Sequence, residues 1–385
     1  MDNRISRETR RLRRIAGGCL AILGLAAALA ACTGRPLASV PPPVPSEPGD
    51  LGSRTAVLVV IDGVRWQEVF SGVDAALAAT HGLAPSEFVD AAHLVPNLHR
   101  MMTDDGAVVG APSSPESIRA SGPNFVSLPG YMEMLTGRTD TGCTSNGCGD
   151  VPFATIADDV AERGGLAAIV ASWPGILHAA AATRGRVVMS IGRQGGDGRD
   201  AFESDANLFA LLRAGEAAGP GPGEEDFRRD ASTGDLACSY LESRRPNFLF
   251  VGLGETDEYA HQGDYRGYLN ALRRADAVVG RLSEQVARFS AQGRPSTLMV
   301  TTDHGRAAGF STHGGDHPES ARVWLVASGA GILARGSTVS TAPRYLSDIG
   351  QTLRRVLGLP RVNAAPAGAV LTELLAPKET SLATR

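Results

Sequence analysis

Eight histidines are spread over the 385 residues, yet His304, His313 and His317 all fall within TTDHGRAAGFSTHGGDHP (301–318), together with Asp303 and Asp316. Carboxylate and imidazole are ligands that zinc and manganese accept, so the stretch reads as part of a metal site whose other members lie elsewhere. They are found after apolar runs. Asp62-Gly63 follows AVLVVI (56–61), Asp257 and His261 follow NFLFVGL (247–253), and Asp303-His304-Gly305 follow STLMVTT (296–302). One aspartate after one run is ordinarily a turn former or helix cap; three such ends together favour a shared site. Asp257 and His261 stand four apart, which puts both on one face of a helical turn. A nucleophile is offered by Ser127 in GPNFVSLPGYMEMLTGR (122–138). A hydroxyl at a helix start is often only an N-cap, but the same position aims an activated oxygen and the helix amides at an anionic substrate.

The elements that must position these residues are short apolar runs at 56–61, 167–172, 186–191, 247–253, 296–302 and 322–328. None alternates, as expected of strands buried on both faces of a parallel sheet. Ala/Leu/Arg-rich stretches of helical period separate them, including PFATIADDVAERGG and GYLNALRRADAVVGRLSEQVARFSAQG, the latter ending at Gly293. The alternation predicts an α/β fold, a three-layer sandwich around a mostly parallel central sheet. In such sheets ligands bind beyond the carboxyl ends of the strands, where the candidate ligands stand. Residues 54–376 read as one catalytic domain, with GEAAGPGPGEEDFRRDASTGD (215–235) as a flexible surface excursion and 377–385 as a tail.

The ordered set Asp62, Ser127, Asp257-x-x-x-His261, Asp303-His304-Gly305 and His313-Gly314 resembles the alkaline phosphatase superfamily, nearest its type I phosphodiesterase/nucleotide pyrophosphatase branch. VLVVIDGVRWQEVF is similar to that branch's first strand and metal aspartate, SLPGYMEMLTGR to its nucleophile segment, and SDIGQTLRRVLGLP to its closing helix. The resemblance spans roughly residues 55 to 372. It implies two divalent metal ions, zinc by preference, one held by Asp257, His261 and His313 and the other by Asp62, Asp303 and His304. It also implies hydrolysis of a small phosphate ester, diester or monoester, through a phosphoserine on Ser127.

Departures narrow this expectation. The branch usually carries Thr at the nucleophile, where this chain has Ser. A formylglycine sulfatase needs Arg four residues after the modified position, where this chain has Tyr131. The branch's phosphoryl-contacting Asn corresponds best to Asn146 in CTSNGCG, although Asn-Gly is also a turn signal. Trp173 corresponds to substrate-facing aromatics of the family, or is core. Arg306 and Arg138 keep a monoester substrate open. His93, His99 and His178 match no ligand position, and His317 is either a turn residue or a neighbour of the substrate.

The ends carry addresses rather than fold. Six arginines lead into the apolar CLAILGLAAALAA and then Leu29-Ala30-Ala31-Cys32, which resembles a bacterial lipobox: residues 1–31 read as a signal peptide and Cys32 as the lipidated residue. GRPLASVPPPVPSEPGDLGS extends a Pro-rich tether through 32–53. The expected location is the periplasmic side of a bacterial envelope, the outer membrane by preference, reached through the lipid anchor alone. There Cys143 and Cys148 are placed for a disulfide, with Cys238 free. The formal charge of the whole chain is −4, and removing six arginines with Asp2 and Glu8 leaves −8, which argues against a nucleic-acid partner. Two rivals keep the fold: transfer of the phosphoryl or phospho-alcohol group to another acceptor, and an inactive metal-binding surface lipoprotein.

Overall fold

The computed structural model describes residues 51–113, 118–193, 200–340 and 342–377. The signal peptide, Cys32, nearly all of the tether and most of the tail lie outside the described residues.

The strands are β1 (Thr55–Ile61), β2 (Gly106–Val109), β3 (Ile118–Arg119), β4 (Ala167–Ala171), β5 (Val188–Ile191), β6 (Phe248–Leu253), β7 (Ser296–Thr301), β8 (Leu325–Gly329), β9 (Gly336–Ser337) and β10 (Arg344–Tyr345). Eight of them form one sheet in the order β5-β4-β6-β1-β7-β8-β2-β9, and β10 pairs with β3 apart from it. Only β8 runs against its neighbours β7 and β2. All six apolar runs are strands, and all seven residues of β1 are buried. The sheet gains two elements that the sequence hid, the four-residue β2 and the two-residue β9, both too short for periodicity to register.

Alternate residues of β1 feed two cores. Val57, Val59 and Ile61 pack under the helices Asp230–Arg244 and Tyr265–Ala291. Ala56, Leu58 and Val60 pack under Ser127–Thr136, Ile156–Glu162 and Leu346–Leu357. This is the expected three-layer sandwich. The long helix ends at Ala291, and Gly293 takes the left-handed conformation (φ 81°) that stops it.

The expected surface excursion at 215–235 is corrected. Helices Ala206–Ala217 and Asp230–Arg244 occupy both its ends, and between them Phe227 and Arg228 are fully buried. Arg228 donates to the Ser190 hydroxyl, to the Thr233 hydroxyl and to the carbonyls of Ala171 and Ser190. A guanidinium can be buried when its fork of donors meets acceptors at strand ends. The Gly/Pro-rich composition masked this anchor.

Candidate metal centre

β1, β6 and β7 are adjacent, so the residues that follow them meet at one edge of the sheet. Asp62 continues the ladder by donating its N–H to Leu253 O at 2.9 Å, and the Thr256 hydroxyl donates to Asp62 O at 2.5 Å. The chain then turns at Gly63 (φ 61°). A Cβ there would lie 2.3 Å from Asp257 Oδ1 and 2.7 Å from Arg306 Nη1, so only glycine fits. Gly63 N donates to Asp303 Oδ1 at 3.1 Å, tying the first strand end to the third. Asp257 and His261 share one turn of Glu255–His261, with His261 Nε2 3.0 Å from Asp257 Oδ2.

Two groups of ligand atoms converge within 4.8 Å: Asp62, Asp303 and His304, and Asp257, His304 and His313. His304 belongs to both. Its Nε2 is 3.4 Å from Asp62 Oδ1, 3.5 Å from Asp303 Oδ2 and 3.9 Å from Asp257 Oδ1, and its ring stacks on His313 with centroids 3.8 Å apart. His261 stands at the rim, half exposed, with its Nε2 3.0 Å from that of His313. The division of ligands thus differs from the sequence expectation in giving His304 to both groups and in leaving His261 outside either. His317 stays outside, 3.3 Å from the Thr312 hydroxyl, in the turn that closes the loop. His93 and His178 pair with Asp90 and Asp150 at the surface.

The donor set suits a divalent cation. His304 Nδ1 lies 2.9 Å from Gly305 O and His313 Nδ1 2.9 Å from Phe125 O. A carbonyl only accepts, so both Nδ1 atoms carry a proton and both Nε2 atoms are turned toward the carboxylates. Asp303 Oδ2 is fully buried and has no hydrogen-bond partner, an orphan of the kind an ion satisfies. The electrostatics say the same. Burial, then the neighbouring Asp62 carboxylate, holds Asp303 well above the usual carboxylate range. Burial opposes charge on His304, but Asp303, Asp62 and Asp257 outweigh it and push the imidazole up to about 10. Burial and then His304 push His313 down to about 3. Burial also opposes charge on Asp257, yet Arg306, which ion-pairs with it, and His261 hold it well below the usual range. Three carboxylates converging in a buried site call for compensating positive charge, which a bound cation would add to that of Arg306 and His304.

Ser127 opens the helix Ser127–Thr136. Its Oγ is 3.3 Å from His304 Nε2 and 3.5 Å from Asp62 Oδ1, at the join of the two ligand groups. The helix crosses so close to the third strand end that a Cβ at Gly130 would lie 2.6 Å from Asp303 O, which explains the glycine in SLPG. Asn146 Oδ1 accepts from Leu128 N at 2.9 Å, capping that helix, and a Cys143–Cys148 disulfide closes its loop; Cys238 is free and buried. Trp173 is half-buried, with its ring centroid 6.3 Å from that of Tyr131.

Two contributors went unseen in the sequence. The Tyr131 hydroxyl donates to Asp62 Oδ2 at 2.8 Å, one turn after Ser127, so a phenol stands where a sulfatase motif would need arginine. Glu258, beside Asp257, is pushed up to about 7 by burial and then by Asp257 and Asp62. Neither residue type carries a signal at these offsets.

The Metalloenzyme superfamily model matches residues 227–360, which hold Asp257, His261, Asp303, His304 and His313. Among curated proteins, the 2,3-bisphosphoglycerate-independent phosphoglycerate mutase of Gloeobacter violaceus is 26% identical over 134 residues, 33% of this chain and 24% of that one. Human GPI ethanolamine phosphate transferase 1 is 28% identical over 109 residues, 28% of this chain and 12% of that one. The match therefore spans a quarter or less of either relative. Among solved structures, the alkaline phosphatase PafA superposes with TM-score 0.55 at 11% identity, covering 84% of this chain and 99% of that one. The phosphonate monoester hydrolase of Agrobacterium radiobacter gives 0.52 at 13%, covering 85% and 78%. The sheet order and the ligand-bearing strand ends give the chain an alkaline phosphatase-like fold, and its residues 227–360 are similar to the Metalloenzyme superfamily.

Proposed function

We propose that the protein hydrolyses phosphate esters with Ser127 as nucleophile and two divalent ions, zinc by preference, as cofactors. The observation that carries this reading is the Ser127 hydroxyl at a helix start, within 3.5 Å of ligand atoms from Asp62 and His304. Asp62, Asp303 and His304 would hold one ion; Asp257 and His313, with His261 at the rim, would hold the other. Bound ions would neutralise the phosphoryl oxygens and lower the pKa of the serine hydroxyl.

The chain's own residues do the rest. Ser127 Oγ bonds to phosphorus as the bond to the leaving alcohol breaks, and the serine proton leaves with that alcohol. The positive end of the ten-residue helix faces the transferring group. Tyr131 holds Asp62, and Asn146, whose Oδ1 accepts from Leu128 N, would contact a phosphoryl oxygen. Water then attacks phosphorus, the Oγ–P bond breaks, and Ser127 regains its proton. Ser127→Ala should abolish turnover of nitrophenyl phosphate esters while bound metal stays constant; an active variant would sink the proposal. Parallel assays of nitrophenyl mono-, di- and sulfate esters rank the substrate classes.

A second reading, transfer to an alcohol acceptor, is supported by the names of the two curated relatives. Phosphate release that falls as alcohol acceptors are added, with a matching phosphorylated alcohol, would favour it over hydrolysis. We further propose that Cys32 anchors the protein to a bacterial envelope membrane facing the periplasm. No helix among the described residues is long and apolar enough to cross a membrane. The disulfide supports an oxidising compartment. Cys32→Ala should move the protein from the membrane fraction to the soluble periplasm, and an unmoved variant would refute the anchor.

A further inference from the structure

Apart from one cation–π contact, Arg322 makes no use of its charge among the described residues. Its guanidinium lies over the Trp66 ring, 4.1 Å from the centroid, and its Nε is buried without a hydrogen-bond partner. Among the described residues it joins no ion pair, and burial is the sole cause of its lowered pKa. Arg65 is its neighbour across a cavity of about 150 Å³, which Trp66, Gly305, Arg306 and Glu319 also line. The Arg65 side chain is 95% buried, and although Asp74 and Glu68 balance its charge, its Nη1 has no hydrogen bond. Glu319 does not fill the need: its Oε1 accepts from Ala308 N at 2.9 Å.

We propose that this cavity is a second anion site, built for a compact tetrahedral oxyanion held by the Arg322 fork with Arg65 behind it. Buried donors without partners are costly, and an arginine held over an aromatic face has terminal donors left for bidentate binding. The volume exceeds the ~30 Å³ of a water and falls below the roughly 300 Å³ of ordinary small-molecule pockets. A phosphate or sulfate group fits; a nucleotide does not. The site sits behind the Gly305–Arg306 segment that follows His304, apart from Ser127. The oxyanion arrives either free or as a second phosphoryl group on the esterified substrate.

The test compares the metal-loaded wild type with Arg322→Gln and Arg322→Lys. Calorimetric titration with inorganic phosphate should show one more site per chain in the wild type than in Arg322→Gln, or a loss of about tenfold or more in that site's affinity. This difference holds whatever the metal centre binds and does not depend on hydrolysis. In a second arm, KM is measured for nitrophenyl phosphate and for a substrate with a second phosphoryl group. A rise confined to the latter assigns the site to the substrate, whereas a change confined to the titration assigns it to free anion. If Arg322→Gln does not fold, Arg322→Lys, which keeps the charge and the stem over Trp66 but not the fork, gives the same comparison with a smaller loss. Identical stoichiometry and affinity in all proteins, with KM ratios unchanged, would overturn the proposal.

Discussion

Glu133 lies two turns along the nucleophile helix and is almost wholly buried, with its carboxylate accepting from Ser121 N (2.9 Å), the Ser121 hydroxyl (2.6 Å) and Ser347 N (3.1 Å). Burial dominates those donors and pushes the group from 4.5 up to about 7. The folded protein therefore holds a proton that the unfolded chain releases between those values. Stability from this residue is full below pH 4.5 and is lost as pH rises through about 7. At 1.36 kcal/mol per pH unit, the loss over that window is about 3 kcal/mol. Glu133→Gln cannot titrate. The difference in unfolding free energy, wild type minus variant, should thus fall by about 3 kcal/mol between pH 4.5 and 7.5, measured by denaturant titration with the disulfide intact. Taking the difference cancels the pH dependence of metal binding, which both proteins share. A flat difference would refute the reasoning. A difference rising with pH would show that the three donors, not burial, govern the carboxyl.

Other perturbations follow from contacts already described. Tyr131→Phe removes the donor on Asp62 Oδ2 and should weaken metal binding about 10- to 100-fold by chelator competition, with little change in melting temperature; unchanged affinity would refute the positioning role. Gly63→Ala forces a left-handed residue, costing roughly 1–2 kcal/mol, and drives a methyl into Asp257, so metal content should drop along with activity. Arg228→Met strips hydrogen bonds from two strand-end carbonyls and should destabilise by about 3 kcal/mol or more, whereas a surface loop position would stay within about 0.5 kcal/mol.

How much was legible follows from where the information is stored. The central strands were readable because runs such as AVLVVI are apolar without interruption, and a strand buried on both faces has no other way to look. Their ends named Asp62, Asp257, Asp303 and His304 because chemistry there has a fixed address in this architecture. Ser127 stood out only through its helix-start context. Tyr131 did not, since a tyrosine four residues after a serine is indistinguishable from core. The membership of His304 in both ligand groups was equally hidden, because ring stacking on His313 depends on loop geometry between residues 305 and 313. Arg228 failed for the opposite reason: its neighbourhood has the composition of a loop, and its burial is decided by carbonyls contributed by β4 and β5.

β1 is the first strand of the domain to be synthesised, yet it is the centre of the sheet, and its two partners begin at Phe248 and Ser296. Until both arrive, an entirely apolar strand waits with unpaired edges, exposed to self-association. The ligand sets are then assembled in one step, because no single segment holds enough of them. Metal therefore cannot nucleate folding from the leading end. Under the proposed two-ion reading it would be taken up late by a sheet already closed, and the domain would have to be stable enough without ions to present the site to them. Export unfolded and completion on the far side of a membrane would set the same order in time.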